Sequence, residues 1–135
     1  MSEEKWKKEI RSIVEQRQLT SYMNDTKWNE LRTAMLEEMP FPPSYFVKSL
    51  FREEVPEHWQ NVWYWGDWQT GLSDIGHVKG YWIEWLEIYP QYKKHIGRLV
   101  EPQNFDASQE LEAILAKYHI PYEKDGDAYR IYGYK

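Results

Sequence analysis

YWIEWLEIY, residues 81–89, is rich in tyrosine, tryptophan and isoleucine and is followed by Pro90, which favours a β-strand over a helix. Successive side chains of a strand alternate between its two faces, so Glu84 and Glu87 are predicted to point to opposite faces. We expect one glutamate to face helices and to accept a hydrogen bond from a buried tyrosine, tryptophan or arginine. The other is expected on the outer face beside exposed aromatic side chains. The sequence leaves open which glutamate is which.

Two amphipathic helices are predicted before this strand in the sequence and one after it. The first covers 3–17, the second begins at a cap formed by Asn24 or Asp25 and stops at Pro40, and the third begins at Asp106 or Ser108. Their helically spaced stripes are Trp6, Ile10, Ile13, Val14 and Arg17, then Trp28, Leu31, Met35 and Met39, and finally Leu111, Ile114, Leu115 and Tyr118.

Four further strands are predicted. They are Ser44–Phe51, a strand around Trp59–Trp65, and two short strands around the turn Asp125-Gly126. Residues 92–105 are predicted to be an irregular connection with room for one helical turn. The order α-α-β-β-β-α-β-β predicts a single-domain α+β fold with a mainly antiparallel sheet of about five strands. Residues 1–20 are expected to form a helical extension and 21–135 the domain.

Composition narrows the classes of function. The chain has 135 residues and no cysteine, which excludes disulfides, thiolate metal sites and cysteine nucleophiles. The N-terminal residues contain no apolar signal run and the longest apolar stretches are too short to span a bilayer, so we expect a cytoplasmic protein without a membrane partner.

Charge and tryptophan are concentrated in one part of the chain. Residues 51–90 hold seven acidic and two basic residues, which accounts for the whole net charge of −5, together with six of the eight tryptophans. Residues 1–50 and 91–135 each contain equal numbers of acidic and basic residues. An acidic field repels phosphate backbones, so nucleic acid is not expected as a ligand, whereas a basic protein surface is.

Motifs for catalysis or metal binding are weak. The histidines His58, His77, His95 and His119 are scattered and show no short metal spacing, so neither a metal nor a cofactor is predicted. GDWQTG, residues 66–71, lacks the lysine of a phosphate loop, and no GxSxG elbow frames a serine. Glutamates on opposite faces could not flank one bond, which disfavours carboxylate catalysis. Stacking of a sugar on the tryptophans stays an alternative.

Three segments carry a resemblance to a known family. MNDTKWNELRTAM (23–35), GYWIEWLEI (80–88) and IPYEKDGDAYRIYGY (120–134) resemble DUF6678, a family of small bacterial proteins with an NxTKW helix, an IEW.EI strand and a terminal GY. The resemblance covers roughly 22–134. It implies no chemistry, and no catalytic residue is carried over from it.

These observations predict a non-enzymatic protein-binding domain. The expected contact residues combine aromatic anchors with an acidic rim and are Trp63, Trp65, Asp67, Trp68, Asp74, Glu84 and Glu87. Immunity to a basic bacterial toxin domain is the specific role expected. The alternatives are a small enzyme or ligand-binding domain for a sugar or polar metabolite that uses Glu84 or Glu87, and a subunit that self-associates through the same patch.

Overall fold

The structure is a computed structural model that describes residues 2–52, 64–65, 68, 75, 78–94, 97–101 and 103–135, with the backbone alone at 64, 65, 93 and 94. Within them, the helices are α1 (Glu3–Arg17), α2 (Asp25–Glu37) and α3 (Ser108–Lys117). The strands are β1 (Ser44–Ser49), β2 (Tyr64–Trp65), β3 (Ile83–Tyr89), β4 (Gln91–Lys94), β5 (Gln103–Asp106), β6 (Glu123–Asp125) and β7 (Ala128–Tyr132). A short 3-10 helix, Gly80–Trp82, leads into β3.

A five-stranded sheet with β3 at its centre organises the fold. Its order is β2-β1-β3-β7-β6, and every neighbouring pair is antiparallel. The predicted α+β class and the strand predicted within 81–89 are therefore confirmed. The first two residues of the predicted strand, Tyr81 and Trp82, lie in the 3-10 helix instead.

One face of the sheet forms the main core with α2 and α3. Antiparallel partners share a face, and the core face of the sheet consists of Tyr45, Val47, Leu86, Ile88, Tyr129 and Ile131. The predicted stripes are buried against this face: Trp28, Leu31 and Met35 from α2, Met39 just after α2, and Leu111, Ile114 and Leu115 from α3. The helical spacing in the sequence thus identified the buried faces of α2 and α3.

The second face of the sheet meets α1. Trp6 of α1 contacts the rings of Phe51 and Trp82 at centroid distances of 5.0 and 5.1 Å. Ile10 and Phe46 are buried but lie outside the main core cluster. The N-terminal helix, predicted to be an extension, thus packs beside the ends of β1 and β3 on the face opposite α2 and α3.

Residues 91–94 and 103–106 are paired strands, so the prediction of an irregular connection over 92–105 was wrong. β4 and β5 pair from Gln91↔Asp106 to Lys94↔Gln103 as a separate two-stranded sheet. Tyr92 and Phe105 stack across it with centroids 4.7 Å apart. All four residues of β5 are exposed. An exposed strand needs no alternation of apolar and polar residues, and its sequence, QNFD, therefore lacks the pattern that marks a half-buried strand.

Helix caps and turns follow local chemistry. Asn24, one of two predicted caps of α2, accepts a hydrogen bond from the backbone N–H of Lys27 at 2.8 Å. The cap position of α3 is Ala107 rather than Asp106 or Ser108. Gly126 has a φ of +61°, as expected of the turn between β6 and β7.

Candidate functional site: two glutamates on a bulged strand

The alternation of β3 breaks at Glu84. Lys48 of β1 pairs with Trp85, but the next residue of β1, Ser49, pairs with Ile83, so Glu84 is an extra residue in a β-bulge. As a result Ile83 lies in the main core, while Trp85 lies on the second face. An unbroken strand would have placed these two residues on the same face.

The end of the chain stabilises this bulge. The backbone N–H groups of Gly133 and Tyr134 both donate to the carbonyl oxygen of Glu84, at 2.8 and 3.1 Å. A Cβ atom at residue 133 would lie 2.1 Å from the carbonyl oxygen of Ile83 and 3.3 Å from the Trp28 ring. Only glycine permits this close approach of the two backbones.

Glu84 is held by two cations. Its Oε1 lies 2.6 Å from Nη1 of Arg17 in α1 and 3.0 Å from Nζ of Lys48. Lys48 lies on the second face of the sheet, so the Glu84 carboxylate lies there as well. Burial opposes ionisation of Glu84, but the hydrogen bonds from Arg17 and Lys48 outweigh it and lower its pKa.

Glu87 is the more deeply buried of the two. Its exposed fraction is 0%, and Nε and Nη2 of Arg130 both lie 2.6 Å from its Oε1. The Arg130 guanidinium also lies over the Trp85 ring, 4.1 Å from its centroid. Among the described residues, Oε2 of Glu87 has no hydrogen-bond partner. Burial raises the pKa of Glu87 to about 7, against the attraction of Arg130.

The predicted placement of Glu84 and Glu87 on opposite faces was therefore wrong. Glu87 pairs across the sheet with Phe46 and Arg130 on the second face, and the bulge turns Glu84 to that face too. The expected position of one glutamate beside exposed aromatic side chains was also wrong, because both residues are buried and ion-paired. The bulge brings onto one face two carboxylates whose pKa values are shifted in opposite directions, a pattern that acid/base pairs share.

The remaining predicted contact residues divide into two groups. Trp68 is fully buried, its Nε1 donates to the Pro43 carbonyl at 3.0 Å, and its ring lies 4.5 Å from that of Tyr45. The prediction of Trp68 as a surface anchor was therefore wrong. The hydrogen bond replaces the one that the indole N–H would make to water, so the whole side chain can be buried. The other group lies outside the described residues and consists of Trp63, the Trp65 side chain, Asp67 and Asp74.

The basic partners Arg17, Lys48 and Arg130 were missed as site residues. Lys48 and Arg130 each interrupt an apolar strand, SYFVKS and AYRIY, just as the glutamates interrupt β3. A charge of each sign in neighbouring apolar strands is a signal of cross-strand pairing that the sequence already contains. Arg17 carried a different signal, since it is the last residue of α1 and stands on the predicted apolar stripe of that helix.

The NxTKW segment has a structural role. Asn24 caps α2, and Nζ of Lys27 donates to the carbonyls of Tyr118 and His119 at the C-terminal end of α3, at 3.1 and 3.0 Å. Trp28 packs in the core beside Gly133. The three segments that carry the family resemblance are thus in contact through the core.

Within the residues that the structure describes, no group of three or more His, Cys, Asp or Glu side chains is placed to hold a metal ion. His58, His77 and His95 lie outside that part of the chain. No helix in the described part is long and apolar enough to cross a membrane.

Replacing Gly133 by alanine tests the bulge. The added Cβ collides with the Ile83 backbone, so we expect G133A to lower the free energy of unfolding by at least about 2 kcal/mol. Urea unfolding measures this change. G97A is the matched control, because a Cβ at residue 97 meets its nearest atom at 3.9 Å. Equal stability of the two variants would show that the close approach is absent.

Replacing Glu87 by glutamine tests its burial. A carboxyl whose pKa is raised from 4.5 to about 7 stabilises the fold below pH 4.5, and this contribution is lost as the pH rises through 7. The loss amounts to about 3 kcal/mol. We therefore expect the free energy of unfolding of E87Q to fall less between pH 5 and pH 8 than that of the wild type. Parallel pH profiles of the two proteins in urea unfolding would exclude this titration. The contributions of the histidines to these profiles cancel in the comparison, because both proteins contain the same histidines.

Comparisons with known proteins place the chain in a family. No curated protein and no solved structure matched it. A family described as "Family of unknown function (DUF6678)" matches residues 10–135, from the middle of α1 through β7 to Lys135. This range includes Glu84, Glu87 and Arg130, and the match agrees with the resemblance carried by the three sequence segments. The chain therefore belongs to the DUF6678 family.

Proposed function

We propose that this protein is a non-enzymatic, cytoplasmic protein-binding domain of bacterial origin whose acidic, tryptophan-rich middle segment contacts a basic partner. Neutralisation of a toxin domain, as an immunity protein, is the specific role proposed. The protein needs no cofactor in this role. Neither nucleic acid nor a membrane is its ligand.

The observation that carries the proposal is the concentration of acidic residues in one segment of the sequence. Glu84 and Glu87 are neutralised inside the fold by Arg17, Lys48 and Arg130. Residues 53–78 contain no lysine or arginine, and their five acidic residues are Glu53, Glu54, Glu57, Asp67 and Asp74. Such a segment attracts a basic surface over a distance and accelerates encounter.

The fold also narrows the contact set. Trp68, Glu84 and Glu87 are buried, so they are no longer proposed as contacts with a partner. Trp63, Trp65, Asp67 and Asp74 remain as proposed contacts. Tryptophan rings that become fully desolvated supply much of the energy of protein interfaces, while acidic residues at the rim set the rate of encounter.

A second candidate function rests on the shared face of Glu84 and Glu87. Two carboxylates with oppositely shifted pKa values can act as acid and base on a sugar or another polar metabolite. The ion pairs that hold both carboxylates, and the lack of exposure of Glu87, favour the structural role instead. If E84Q or E87Q lost binding of a metabolite while unfolding at the same urea concentration as the wild type, the enzyme or ligand-binding role would be favoured.

The binding proposal predicts a charge-dependent complex with the product of the adjacent gene. We expect D67N/D74N to slow association and to weaken its dependence on salt, measured by surface plasmon resonance at two ionic strengths. W63A should weaken the equilibrium affinity by about tenfold or more. E110Q/D127N is the matched control, because it also removes two negative charges, from exposed positions on α3 and beside β6.

Each alternative to the proposed interface predicts a different result in these binding experiments. Equal effects of the two double variants would remove the acidic segment from the interface. A salt-insensitive complex would exclude electrostatic steering. Absence of any complex with that gene product would overturn the immunity role. Sedimentation at several protein concentrations separates these results from self-association through the same segment.

A further inference from the structure

A slot lined by tyrosines lies at the C-terminal end of the sheet. Residues 20–22 pair with the last residues of the chain, since Thr20 and Lys135 exchange backbone hydrogen bonds of 2.9 and 3.0 Å and Tyr22 N–H donates to the Gly133 carbonyl at 2.9 Å. This pairing holds Tyr22 beside β7. The resulting cavity of about 190 Å³ is lined by Tyr22, Pro121, Tyr122, Glu123, Tyr132 and Lys135, which we call the tyrosine slot.

The tyrosine slot combines aromatic rings with one carboxylate. Tyr22 and Tyr122 are 44% and 38% exposed, so both side chains are accessible to a ligand from outside the chain. The faces of tyrosine rings carry negative potential and attract cations, and Glu123 adds a formal negative charge. Recognition of an alkylammonium group uses this combination of groups.

An ammonium group already occupies one side of the slot. Nζ of Lys135 lies 2.5 Å from Oε1 of Glu123 and 4.8 Å from the centroid of the Tyr132 ring. The hydrogen bond to Glu123 raises the pKa of Lys135, and Tyr132 and Tyr22 add smaller contributions in the same direction. The Lys135 side chain is 51% exposed, so it can leave the slot without unpacking the core.

We propose that the tyrosine slot binds a trimethylammonium group from outside the chain and that Lys135 is its internal competitor. A trimethylammonium group has no N–H donors, so it is recognised by ring faces and charge rather than by hydrogen bonds. The cavity is smaller than the roughly 300 Å³ of typical small-molecule sites, which fits a headgroup or the end of a side chain rather than a larger ligand. The slot shares no residue with the acidic segment 53–78, so this inference does not depend on the proposed protein partner.

Calorimetric titration of the K135A variant with choline tests the proposal. Removing the competitor should strengthen choline binding about fivefold or more relative to the wild type. The neutral isostere 3,3-dimethylbutan-1-ol should bind K135A at least about tenfold more weakly than choline does, because it has the shape without the charge. K124A is the matched control, since Lys124 also lies over a tyrosine ring, 5.3 Å from the centroid of Tyr129, but does not line the slot.

Two further variants test the composition of the slot. In the K135A background, Y132L should weaken choline binding about tenfold by removing a ring, and E123Q should weaken it by removing the charge. Circular dichroism shows whether Y132L is folded, and E123Q tests the site independently because Glu123 is exposed. No binding of choline to K135A at about 10 mM, or equal binding of choline and its isostere, would overturn the proposal.

A trimethyl-lysine peptide distinguishes the source of the ligand. Tighter binding of the peptide than of choline to K135A supports recognition of a modified protein side chain. Equal or weaker binding of the peptide supports recognition of a small metabolite headgroup. Failure of both probes overturns the site.

Discussion

Two backbone N–H groups that converge on one carbonyl, from Gly133 and Tyr134 to Glu84, are the contact on which the rest of the structure depends. They join the last residues of the chain to the bulge in the central strand, and the bulge turns the Glu84 side chain toward Arg17 of α1. The same segment then pairs with Thr20, which places Tyr22 beside the end of β7. The last residues of the chain therefore contact both the bulge and the segment that carries Tyr22 of the tyrosine slot.

The helices and the central strand were predictable because local spacing determines them. α1 covers the predicted residues 3–17, α2 is capped by Asn24 as predicted, and the Asp125-Gly126 turn adopts the positive φ expected of it. The bulge was not predictable from β3 alone. Its cause is the close approach of Gly133, which is remote in sequence, and alternation arguments assume that no such contact intervenes. The error over Glu84 followed directly from that assumption.

The site was less predictable than the fold because the same type of side chain can serve in a binding surface or in the core. A tryptophan beside acidic residues suits an interface, yet Trp68 is in the core because the Pro43 carbonyl accepts its indole N–H. The hairpin of β4 and β5 escaped prediction for a related reason. A stacked pair, Tyr92 and Phe105, stabilises it without the apolar alternation that normally marks a strand.

The two glutamates are paired with cations inside the fold, which changes how the net charge of the chain is interpreted. Three cations, Arg17, Lys48 and Arg130, face two carboxylates on the second face of the sheet, so this cluster is not the source of the net negative charge. Protonation of Glu87 near neutral pH would make the cluster still more positive. Residues 53–78, by contrast, contain five acidic residues without a single lysine or arginine. In the proposed function, this acidic segment attracts the basic partner, whereas the buried carboxylates are already paired with cations on the second face of the sheet.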